Sequence, residues 1–419
     1  SEAGTTGGLD ERDLLRIMIS TDNHLGVNED DAVRGDDSFR AFEEVLQKAV
    51  ESRCDFLLLG GDLFHDNQPS RSTMHKTVRI LKKYCMSDRP VSFQILSNQA
   101  ENFPSTGVVN YEDPNYNVGL PVFTIHGNHD DPTGVGRLSA VDILSQCALV
   151  NYFGNVELEG SGIGKLRISP ILLQKGDTHL ALYGLGNIRD ERLARLFKTP
   201  GNVEWERPEE AAADWFSVFV LHQNREKRGP KNFLDEAVLP EFLDLVLWGH
   251  EHQCIPTPQD AIAKNEDGEA AFEILQAGST VPTSLSEGEA DPKHCFILEM
   301  MGAQYRILQT PLETVRPFMY GQVCLRTAEN LEPDDVKGTE TFLEEQVNKM
   351  IRQATSNSRS EMLPLIRLKV DYTGFSTINV QRFGQRFVKK VANPQDILIF
   401  SKHSQRRQQQ DKQEVGHAC

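Results

Sequence analysis

The sequence lacks the features that mark membrane-inserted and secreted proteins. No apolar run reaches the length needed to span a bilayer, and the polar, acidic N-terminus (SEAGTTGGLDERD) differs from a signal or transit peptide. The seven cysteines are odd in number, widely scattered and without a C-x-x-C pair, which argues against a disulfide framework and against a zinc knuckle. We therefore expect an intracellular protein with free thiols.

Positive charge is also scarce, and internal repeats are absent. Lys and Arg number 44 against 61 Asp and Glu, so that the net charge is −17 at pH 7. On its own this charge argues against a polyanionic partner, although local segregation of charge or bound metal ions can overrule it. The exception is the segment 381–407, in which seven basic residues stand against one acidic residue.

The sequence does contain the material for a large α/β core. Its 419 residues, of which 39% are hydrophobic, are enough for one large domain and a smaller one. Apolar runs without polar alternation at 14–20, 55–59 and 121–126 are typical of parallel strands buried on both faces. A helical pattern over 37–53 joins the first two as a βαβ unit, which predicts β-sheets sandwiched by helices. Further strands are predicted at 168–173, 179–185, 215–221, 244–248, 272–276 and 295–299.

The last hundred residues predict a second, smaller α/β domain. A helix over about 339–354 begins with the capping-box pattern Thr341-x-x-Glu344, and it is followed by a strand, a helix near 380–391 and a last strand. The predicted organisation is a flexible N-terminus (1–13), a large domain (14–312) with an inserted loop (97–120), a small capping domain (313–405) and a polar tail (406–419).

Two segments of the large domain are candidates for contact with another chain. The loop 97–120 is rich in Asn, Pro, Gly and Tyr and has little periodicity. We interpret it as a partner-binding or dimer-latching loop, with disorder as the alternative. The helix predicted over 70–85 has one apolar stripe, which indicates either core packing or a helix–helix dimer surface. That stripe comprises Met74, Val78, Leu81 and Cys85.

Metal-ligand side chains directly follow five of the predicted strands. Gly60 and Gly61 end the second strand, so that Asp62 emerges beyond its carboxyl end, where open α/β sheets place their ligands. A single acid at such a turn would be unremarkable, but coincidence is hard to sustain for five strand ends. The candidates are Asp22, His24, Asp62, Asn128, His222, His250 and His252.

This set predicts a site for two metal ions. Oxygen and imidazole ligands without thiolate suit manganese, iron or zinc, and seven ligands suit two ions bridged by a carboxylate such as Asp62. Two ions would polarise a phosphoryl group and generate a hydroxide to attack it. His129 could protonate or clamp the leaving oxygen, and His65 could bind the phosphate or orient His129. Asp130 is expected to hold an imidazole or cap a helix, and His126 to be a core residue.

The order of these motifs resembles a known superfamily. D-x-H, GGD, GNHD, H and GHEH, each behind a buried strand, are similar to the motifs of the calcineurin-like metallophosphoesterases. Within it, TDNHLG, GGDLFHDNQPSR, IHGNHDDPTG, LHQNR and LWGHEH resemble the double-strand-break repair nucleases of the meiotic recombination eleven (SbcD) family. QRFGQRFVKKVANPQDIL in the second domain is similar to the eukaryotic branch of that family.

The resemblance implies a metallophosphoesterase fold and a nuclear homodimer that acts in repair with an SMC-like ATPase and nibrin. It implies 3′-to-5′ exonuclease activity on double-stranded DNA and endonuclease activity on single strands, with His129 and His65 as the catalytic histidines. The ligands it implies are Asp22, His24, Asp62 and His252 for one manganese ion, and Asp62, Asn128, His222 and His250 for the other.

The basic segment is then a candidate DNA contact. On the helix near 380–391, Phe383, Phe387 and Val391 form one stripe and the cations face away from it. Next to a phosphodiesterase site we favour contact with the DNA backbone, led by shape because no base-reading motif is present; a solvated basic face is the alternative. The candidate residues are Arg382, Arg386, Lys389 and Lys390.

A phosphatase and a scaffold that only tethers DNA ends are the competing interpretations. Protein phosphatases of this superfamily have an arginine soon after the Gly-Asp and end the third motif in Glu, whereas here Leu-Phe-His-Asp follows Asp62 and the third motif ends in Asp130. A scaffold would tolerate loss of ligands, whereas every expected ligand is present. The sequence therefore favours hydrolysis of a phosphodiester.

Overall fold

The chain divides into two compact units, one formed by Ser1–Thr283 with Pro292–Thr314 and the other by Ser284–Asp291 with Val315–Cys419. The structure, a computed structural model, describes residues 11–402 except 157, 159, 161–163, 209–214, 227–231, 266, 330 and 358–360. None of the helices in this described part is long and apolar enough to cross a membrane. The predicted polar tail and most of the predicted N-terminus lie outside the described residues.

The first sheet of the larger unit brings three ligand-bearing strand ends to one edge. The first, second and fourth strands of the chain pair in parallel, so their carboxyl ends point the same way. Two antiparallel strands from late in the chain complete the sheet on the other side of the first strand. The strand order is β15 (Gln304–Pro311), β14 (His294–Met301), β1 (Leu15–Ser20), β2 (Phe56–Leu59), β4 (Val122–Thr124) and β5 (Asn151–Tyr152).

The second sheet packs face to face on the first. Ile17 and Leu58 of the first sheet and Leu182 and Val220 of the second belong to one buried cluster between them. Four central strands of the second sheet run in parallel, and antiparallel strands flank them on both sides. The strand order is β12 (Gln259–Asp260), β13 (Glu273–Leu275), β11 (Leu245–Gly249), β10 (Phe216–His222), β8 (Thr178–Leu185), β7 (Ile171–Lys175) and β3 (Gln94–Ile95). The predicted α/β fold class is confirmed.

The helices cover the outer faces of the sheets. Between β1 and β2 the chain forms the predicted crossover helix, which packs against both strands. The nine residues 190–198, five of which are charged, were not predicted as a helix but are helical, and their apolar residues pack on the second sheet. The helices are α1 (Asp37–Glu51), α2 (Arg71–Cys85), α3 (Gln99–Asn102), α4 (Ala140–Gln146) and α5 (Asp190–Lys198).

Helix α2 begins as predicted but buries a different stripe. The hydroxyl of Ser70 accepts a hydrogen bond from the amide of Thr73 and caps the first turn. Of the predicted stripe, Leu81 and Cys85 are buried and Met74 and Val78 are half-buried, so core packing accounts for part of it and the dimer surface stays a prediction. Thr73 and Thr77 are the fully buried residues on this part of the helix. Burial of Thr77 is possible because its hydroxyl donates to the carbonyl of Thr73 within the helix. The buried residues are Thr73, Thr77, Ile80, Leu81 and Cys85.

The loop 97–120 is ordered by its own packing, so the alternative of disorder is wrong. Phe103 and Val109 are buried in the core between the two sheets. The backbone amide of Asn110 donates to the side chain of Asn151, whose own amide donates back to Asn110 Oδ1. These polar contacts replace the periodic pattern that regular elements show in a sequence. Its binding of a partner stays a prediction.

The single strand predicted over 168–173 is two strands in two different sheets. Strand β6 (Leu166–Ile168) pairs with β9 (Val203–Trp205), and β7 begins only at Ile171. Ser169 and Pro170 separate them, and proline cannot donate a ladder hydrogen bond. The chain therefore passes from one sheet to another within the segment that was predicted to be a single strand.

The smaller unit contains a three-stranded parallel sheet of β16 (Phe318–Cys324), β17 (Leu365–Asp371) and β18 (Leu398–Ser401). Helix α6 (Val336–Asn357) buries Leu343 and Val347 in the core of this unit. The helix begins at Val336, before the predicted capping box. Thr341 therefore lies inside the helix, where its hydroxyl donates to the carbonyl of Lys337. The helix predicted near 380–391 is shorter and comprises α7 (Val380–Gly384) and a 3-10 turn over Gln385–Phe387.

Glu44 of α1 provides a test of how the larger unit is held together. Burial raises the pKa of Glu44, but hydrogen bonds from the amides of Glu313 and Thr314 and from the Thr314 hydroxyl outweigh it and leave the pKa lowered. A lowered pKa contributes stability above the unfolded-state pKa, and this contribution is lost as the pH falls through the folded-state pKa. We expect Glu44→Gln to reduce the free energy of unfolding by about 1–2 kcal/mol at pH 7.

Urea titration at pH 7 and at lower pH measures this difference. The gap between the wild type and Glu44→Gln should close as the pH falls, because the wild-type carboxylate then also becomes neutral. Glu51→Gln, at an exposed position of the same helix, is the matched control and should change little. A gap that stays constant with pH would contradict the assigned role of the charge.

Candidate metal centre

The structure brings all seven predicted ligands together at the carboxyl edges of the two sheets. Each follows or ends one of the strands β1, β2, β4, β10 and β11. The loops that carry them are hydrogen-bonded to one another: the amide of Asp22 donates to the carbonyl of Gly61, and the amide of His24 donates to that of Asp62. Among the described residues, three groups of side chains are suited to hold a metal at this edge. They are Asp22, His24 and His252; Asp22, Asp62 and His222; and His24, His65 and His129.

The first half of the cluster contains Asp22, His24 and His252. The Nε2 atoms of His24 and His252 lie 3.0 Å apart, and they lie 3.9 and 3.6 Å from Asp22 Oδ1. His24 Nε2 is also 3.7 Å from Asp62 Oδ2. These four atoms face one small volume and form a set of two carboxylate oxygens and two imidazole nitrogens.

The second half contains His222, Asn128 and His250, and it shares Asp62 with the first. Asp62 Oδ2 lies 3.3 Å from His222 Nε2. Asn128 Oδ1 lies 3.2 Å from the same nitrogen and 2.8 Å from His250 Nδ1. Asp62 Oδ2 therefore stands between the two halves, in the position that a bridging carboxylate would occupy.

The two aspartates show that the cluster is built for cations. Asp22 Oδ2 accepts from the Thr21 hydroxyl and the His250 amide, and Asp62 Oδ1 accepts from the His129 amide. Their other oxygens, Asp22 Oδ1 and Asp62 Oδ2, are buried and accept no well-directed hydrogen bond from any described residue, although His222 Nε2 lies 3.3 Å from Asp62 Oδ2. Because a buried carboxylate oxygen without a partner is costly, this donor set fits divalent metal ions.

The pKa values of the rings differ between the two halves: His24 is neutral and able to coordinate, whereas His222 holds a proton that a metal ion would have to displace. Burial lowers the pKa of His24 well below its usual value, which keeps the ring neutral and able to coordinate. Burial also lowers the pKa of His222, but the carboxylates of Asp62 and Asp22 outweigh it and raise that pKa to about 10. In return the charge on His222 holds the pKa of Asp62 far below its usual value despite burial. The carboxylates attract positive charge strongly into the centre.

An oxygen atom contacts the outer nitrogen of each of the three rings contributed by the second sheet. His222 Nδ1 lies 2.9 Å from the Gly60 carbonyl oxygen, and His252 Nδ1 lies 2.8 Å from Thr283 Oγ1. His250 Nε2 lies 2.8 Å from Asn224 Oδ1. Such contacts fix the tautomer and the orientation of a metal-binding imidazole. Each ring thus presents its other nitrogen to the cluster.

Asn224 is a supporting residue that the sequence analysis missed. Its Nδ2 donates to Asp190 Oδ2 over 2.7 Å, so its Oδ1 is directed at His250. The signal was available, because Asn224 lies in the quoted stretch LHQNR two residues after His222. No local sequence pattern, however, indicates that the Asn224 side chain donates a hydrogen bond to Asp190.

The backbone of the cluster is unusual. Nine non-glycine residues in the described part have positive φ, and Asp22, His24, Asp62 and His250 are four of them, with values of 49°, 45°, 47° and 88°. Side chains rarely adopt this region, and such conformations cost about 1–3 kcal/mol each. This concentration of strain marks the cluster as the functional site.

His129 and His65 lie beside the cluster and stack on each other. Their rings are 5.0 Å apart at 21°, and His129 lies edge-on to His24 at 4.8 Å. His129 Nδ1 donates to the backbone carbonyl of His65 over 2.6 Å. His65 therefore orients His129 through its backbone as well as by stacking. Burial lowers the pKa of the His65 ring itself.

Asp130 and His126 have roles that differ from the ligands. The Asp130 carboxylate accepts from the amides of Gly127 and Phe64, so the expectation that it holds an imidazole or caps a helix is wrong. Burial and the nearby Asp62 raise the pKa of Asp130 to about 7. His126 is buried outside the cluster, with Nδ1 2.7 Å from the Tyr152 hydroxyl.

In the smaller unit, two of the four predicted DNA-binding cations are engaged in ion pairs. Arg382 pairs with Glu340 at 2.9 Å, and Arg386 pairs with Glu344 at 2.9 Å and with Glu340. Both glutamates belong to α6, so the cations do not simply face solvent as the helical pattern suggested. Lys389 and Lys390 are exposed, as are both arginines. The buried stripe is as predicted and comprises Phe383, Phe387 and Val391.

Comparison with known proteins agrees with this geometry. The family model of the calcineurin-like phosphoesterases matches residues 15–254, which is more than half of the chain. The chain belongs to the calcineurin-like phosphoesterase family. A second family model, described as the Mre11 DNA-binding presumed domain, matches residues 305–418.

This calcineurin-like phosphoesterase is similar to curated proteins named double-strand break repair protein MRE11. The identity is 55% to the protein of Oryza sativa subsp. japonica over 95% of this chain, 54% to that of Arabidopsis thaliana over 95%, and 47% to that of Homo sapiens over 96%. The chain covers 57%, 55% and 57% of these relatives, so it spans little more than half of their length.

Gly127 tests how tightly the ligand loops are packed. A Cβ atom added there would lie 2.0 Å from Asp62 Oδ1, although its φ is one that alanine adopts readily. We expect Gly127→Ala to displace Asp62 and to weaken manganese binding, measured by electron paramagnetic resonance titration, by at least about tenfold. Gly136→Ala, which meets only the Leu138 side chain at 3.6 Å, should bind as the wild type does. Equal affinities for all three proteins would contradict this packing argument.

A substitution at Asn224 tests whether its contact with His250 contributes to metal binding. Asn224→Ala leaves His250 Nε2 without its acceptor, and loss of such a contact typically costs about 10–100-fold in metal affinity. The same manganese titration measures it, with Asn115→Ala, at an exposed position of the loop 97–120, as the control. Unchanged affinity in Asn224→Ala would show that His250 does not depend on this contact.

Proposed function

We propose that this protein is a manganese-dependent DNA nuclease of double-strand break repair, with 3′-to-5′ exonuclease activity on duplex ends and endonuclease activity on single strands. The observation that carries the proposal is the pair of buried oxygens, Asp22 Oδ1 and Asp62 Oδ2, that accept no hydrogen bond from the described residues and face the imidazole nitrogens of the cluster. The printed name of the relatives and the match to a DNA-binding domain model support DNA as the substrate.

The proposed ligand sets follow the two halves of the cluster. Two manganese ions would supply Lewis-acid polarisation of the phosphoryl oxygens and activation of a water nucleophile at neutral pH. Imidazole and carboxylate ligands also accommodate iron and zinc, and manganese is our choice among them. One ion is assigned to Asp22, His24, Asp62 and His252, and the other to Asp62, Asn128, His222 and His250.

His129 is the proposed general acid. Its Nδ1 is committed to the His65 carbonyl, so Nε2 is the nitrogen that donates a proton to the leaving oxygen. The His129 amide also donates to Asp62 Oδ1 and ties the loop of the acid to the central carboxylate. His65 is proposed as a positioning residue, because both its carbonyl and its ring contact His129.

The smaller unit is proposed to contact the DNA backbone. The match to the DNA-binding domain model covers it from its first strand onward. Arg382 and Arg386 would bind phosphate by exchanging their glutamate partners, whereas Lys389 and Lys390 are exposed cations that a phosphate can approach directly. The capping role of this unit is part of the proposal.

The proposed partners are those that the resemblance implies. They are a second copy of this chain, an SMC-like ATPase and nibrin, and the proposed location is the nucleus. The half-buried residues Met74 and Val78 on α2 support a dimer seam there, since an apolar pair at the edge of a buried stripe is available for a second helix. The loop 97–120 is proposed as the dimer latch.

His129→Asn tests the assignment of the acid. General acid catalysis contributes about 10²–10⁴-fold, so we expect cleavage of blunt, 3′-labelled duplex DNA in manganese to slow by at least about 100-fold. Manganese content should be unchanged, because the amide of residue 129 and all seven ligands are retained. His179→Asn, a histidine outside the cluster, is the matched control and should cleave at the wild-type rate.

The same assay separates the competing functions. Wild-type cleavage of DNA that chelation abolishes and manganese restores supports the nuclease. Cleavage by His129→Asn at the wild-type rate would refute the acid assignment alone. A wild type that hydrolyses a phosphopeptide in manganese but never DNA would establish a phosphatase, and one that binds DNA but hydrolyses neither would establish a scaffold.

A further inference from the structure

A cavity of about 800 Å³ adjoins the metal centre and has no part in the proposed cleavage step. Its walls come from the segment that follows β4, including Asp131 and Arg137, and from the segment that follows β8, including Asn187 and α5. Both segments leave the carboxyl ends of their strands, on the same edge of the sheets as the metal ligands. We call this space the arginine cavity.

The described lining of the arginine cavity is cationic in a chain of net charge −17. It contains four arginines, Arg137, Arg189, Arg192 and Arg195, against two acids. All four arginines are exposed. Arg189 is the residue before the first turn of α5, and Arg192 and Arg195 follow within the helix, about 4.5 Å apart along its axis. Three guanidinium groups in a row suit successive phosphates.

The floor of the cavity is apolar. Leu185 is fully buried, and Val156, Leu158 and Ile188 are partly buried in the same wall. An apolar floor beneath a cationic rim offers one surface for the faces of nucleobases and another for phosphates. Glu191 pairs with Arg195 at 3.6 Å and offsets one of the positive charges, whereas Asp131 accepts a hydrogen bond from Asn67 at 3.1 Å. Four arginines against two acids leave the described lining with a net charge of +2.

The cavity is connected directly to the ligand loops. The side chain of Asn187 donates to the carbonyl of His222 over 3.0 Å, and its backbone amide donates to the carbonyl of His126 over 3.2 Å. On the other wall, Asp131 is two residues from His129 along the chain. A strand held at the metal centre therefore reaches the cavity within a short length of backbone.

Size decides between single and double strands. Cavities of about 300–1,000 Å³ enclose a ligand of drug size, so the arginine cavity can hold one or two nucleotides of one strand but cannot admit a duplex. Its described lining contains no Phe, Tyr or Trp, so it would bind the backbone of the strand and contact the bases mainly through aliphatic groups, without reading their sequence.

We propose that the arginine cavity binds the single-stranded segment of DNA that adjoins the scissile phosphate. The inference rests on the proposed nuclease function and deepens it, because it assigns a path to the unpaired strand. The arginines hold that strand beside the metal centre, and its unpaired state is the feature that the cavity selects.

Binding in the absence of metal tests the cavity without recourse to cleavage. The probe is a fluorescein-labelled oligothymidylate in EDTA, and its affinity is measured by fluorescence anisotropy for Arg189→Glu, Arg192→Glu and Arg195→Glu. Each should bind about fivefold to tenfold more weakly than the wild type. Lys198→Glu is the matched control, with the same change of charge at an exposed position of the same helix outside the cavity, and it should bind as the wild type does.

A salt titration adds a second readout. Replacement of one arginine by glutamine should reduce the slope of log affinity against log salt by about 0.7, the value of one phosphate contact with a single strand. Free thymidine monophosphate should compete with the probe only weakly, because it reaches one arginine at a time. Competition as strong as that of the unlabelled oligonucleotide would overturn the proposal in favour of a mononucleotide site.

The remaining outcomes separate this inference from the proposed function. The inference alone fails if the wild type cleaves DNA in manganese but the three arginine variants bind the probe as tightly as the wild type. It also fails alone if Lys198→Glu loses as much affinity as the arginine variants, because the cavity then has no specific part in binding. If the wild type neither binds the probe nor cleaves DNA, the proposed function itself fails. Loss confined to the cavity arginines supports the inference.

Discussion

Two carboxylates buried in one cluster impose the constraint on which the rest of the structure depends. Among the described residues, Asp22 and Asp62 each find protein donors for one oxygen, and the other oxygen accepts no hydrogen bond and faces imidazole nitrogens instead. Two like charges so placed repel each other, and burial removes the water that would screen them. The charge on His222 relieves part of this repulsion, whereas His24 stays neutral. Divalent cations are the partners that complete the arrangement.

The fold is suited to this constraint because it is a sandwich of two largely parallel sheets. Strands β1, β2 and β4 deliver oxygen ligands and one imidazole from one sheet, and β10 and β11 deliver the other three imidazoles from the second. The apolar core between the sheets fixes the distance between these edges. The same core offsets the cost of the left-handed backbone at Asp22, His24, Asp62 and His250. Packing of the core between the two sheets therefore stabilises the strained backbone of the loops that carry these four residues.

Much of this was predictable because buried parallel strands and the glycine turns behind them leave a strong local signal. The ligand residues, the α/β class and the start of α2 at Ser70 all follow from such patterns. Features that arise between distant segments leave none. The pairing of Arg382 and Arg386 with glutamates of α6, and the hold of Asp190 on Asn224, need the tertiary structure. A pattern of apolar residues also fails to predict burial where a threonine hydroxyl is hydrogen-bonded within its own helix, as on α2. It fails to predict strand boundaries where a proline ends one strand before the next, as at Pro170.

The two halves of the cluster differ in their access to water. Asp22, His24 and Asp62 are fully buried, whereas Asn128 is exposed and His250 is half-buried. The first set also contains the half-buried His252, and the second contains the fully buried Asp62 and His222, so the sets differ chiefly at Asn128. An ion held by the second set would therefore be the more open to solvent. Dissociation should therefore be sequential, and the outer ion should exchange faster. A preparation depleted by dialysis would then pass through a form that retains one tightly trapped ion.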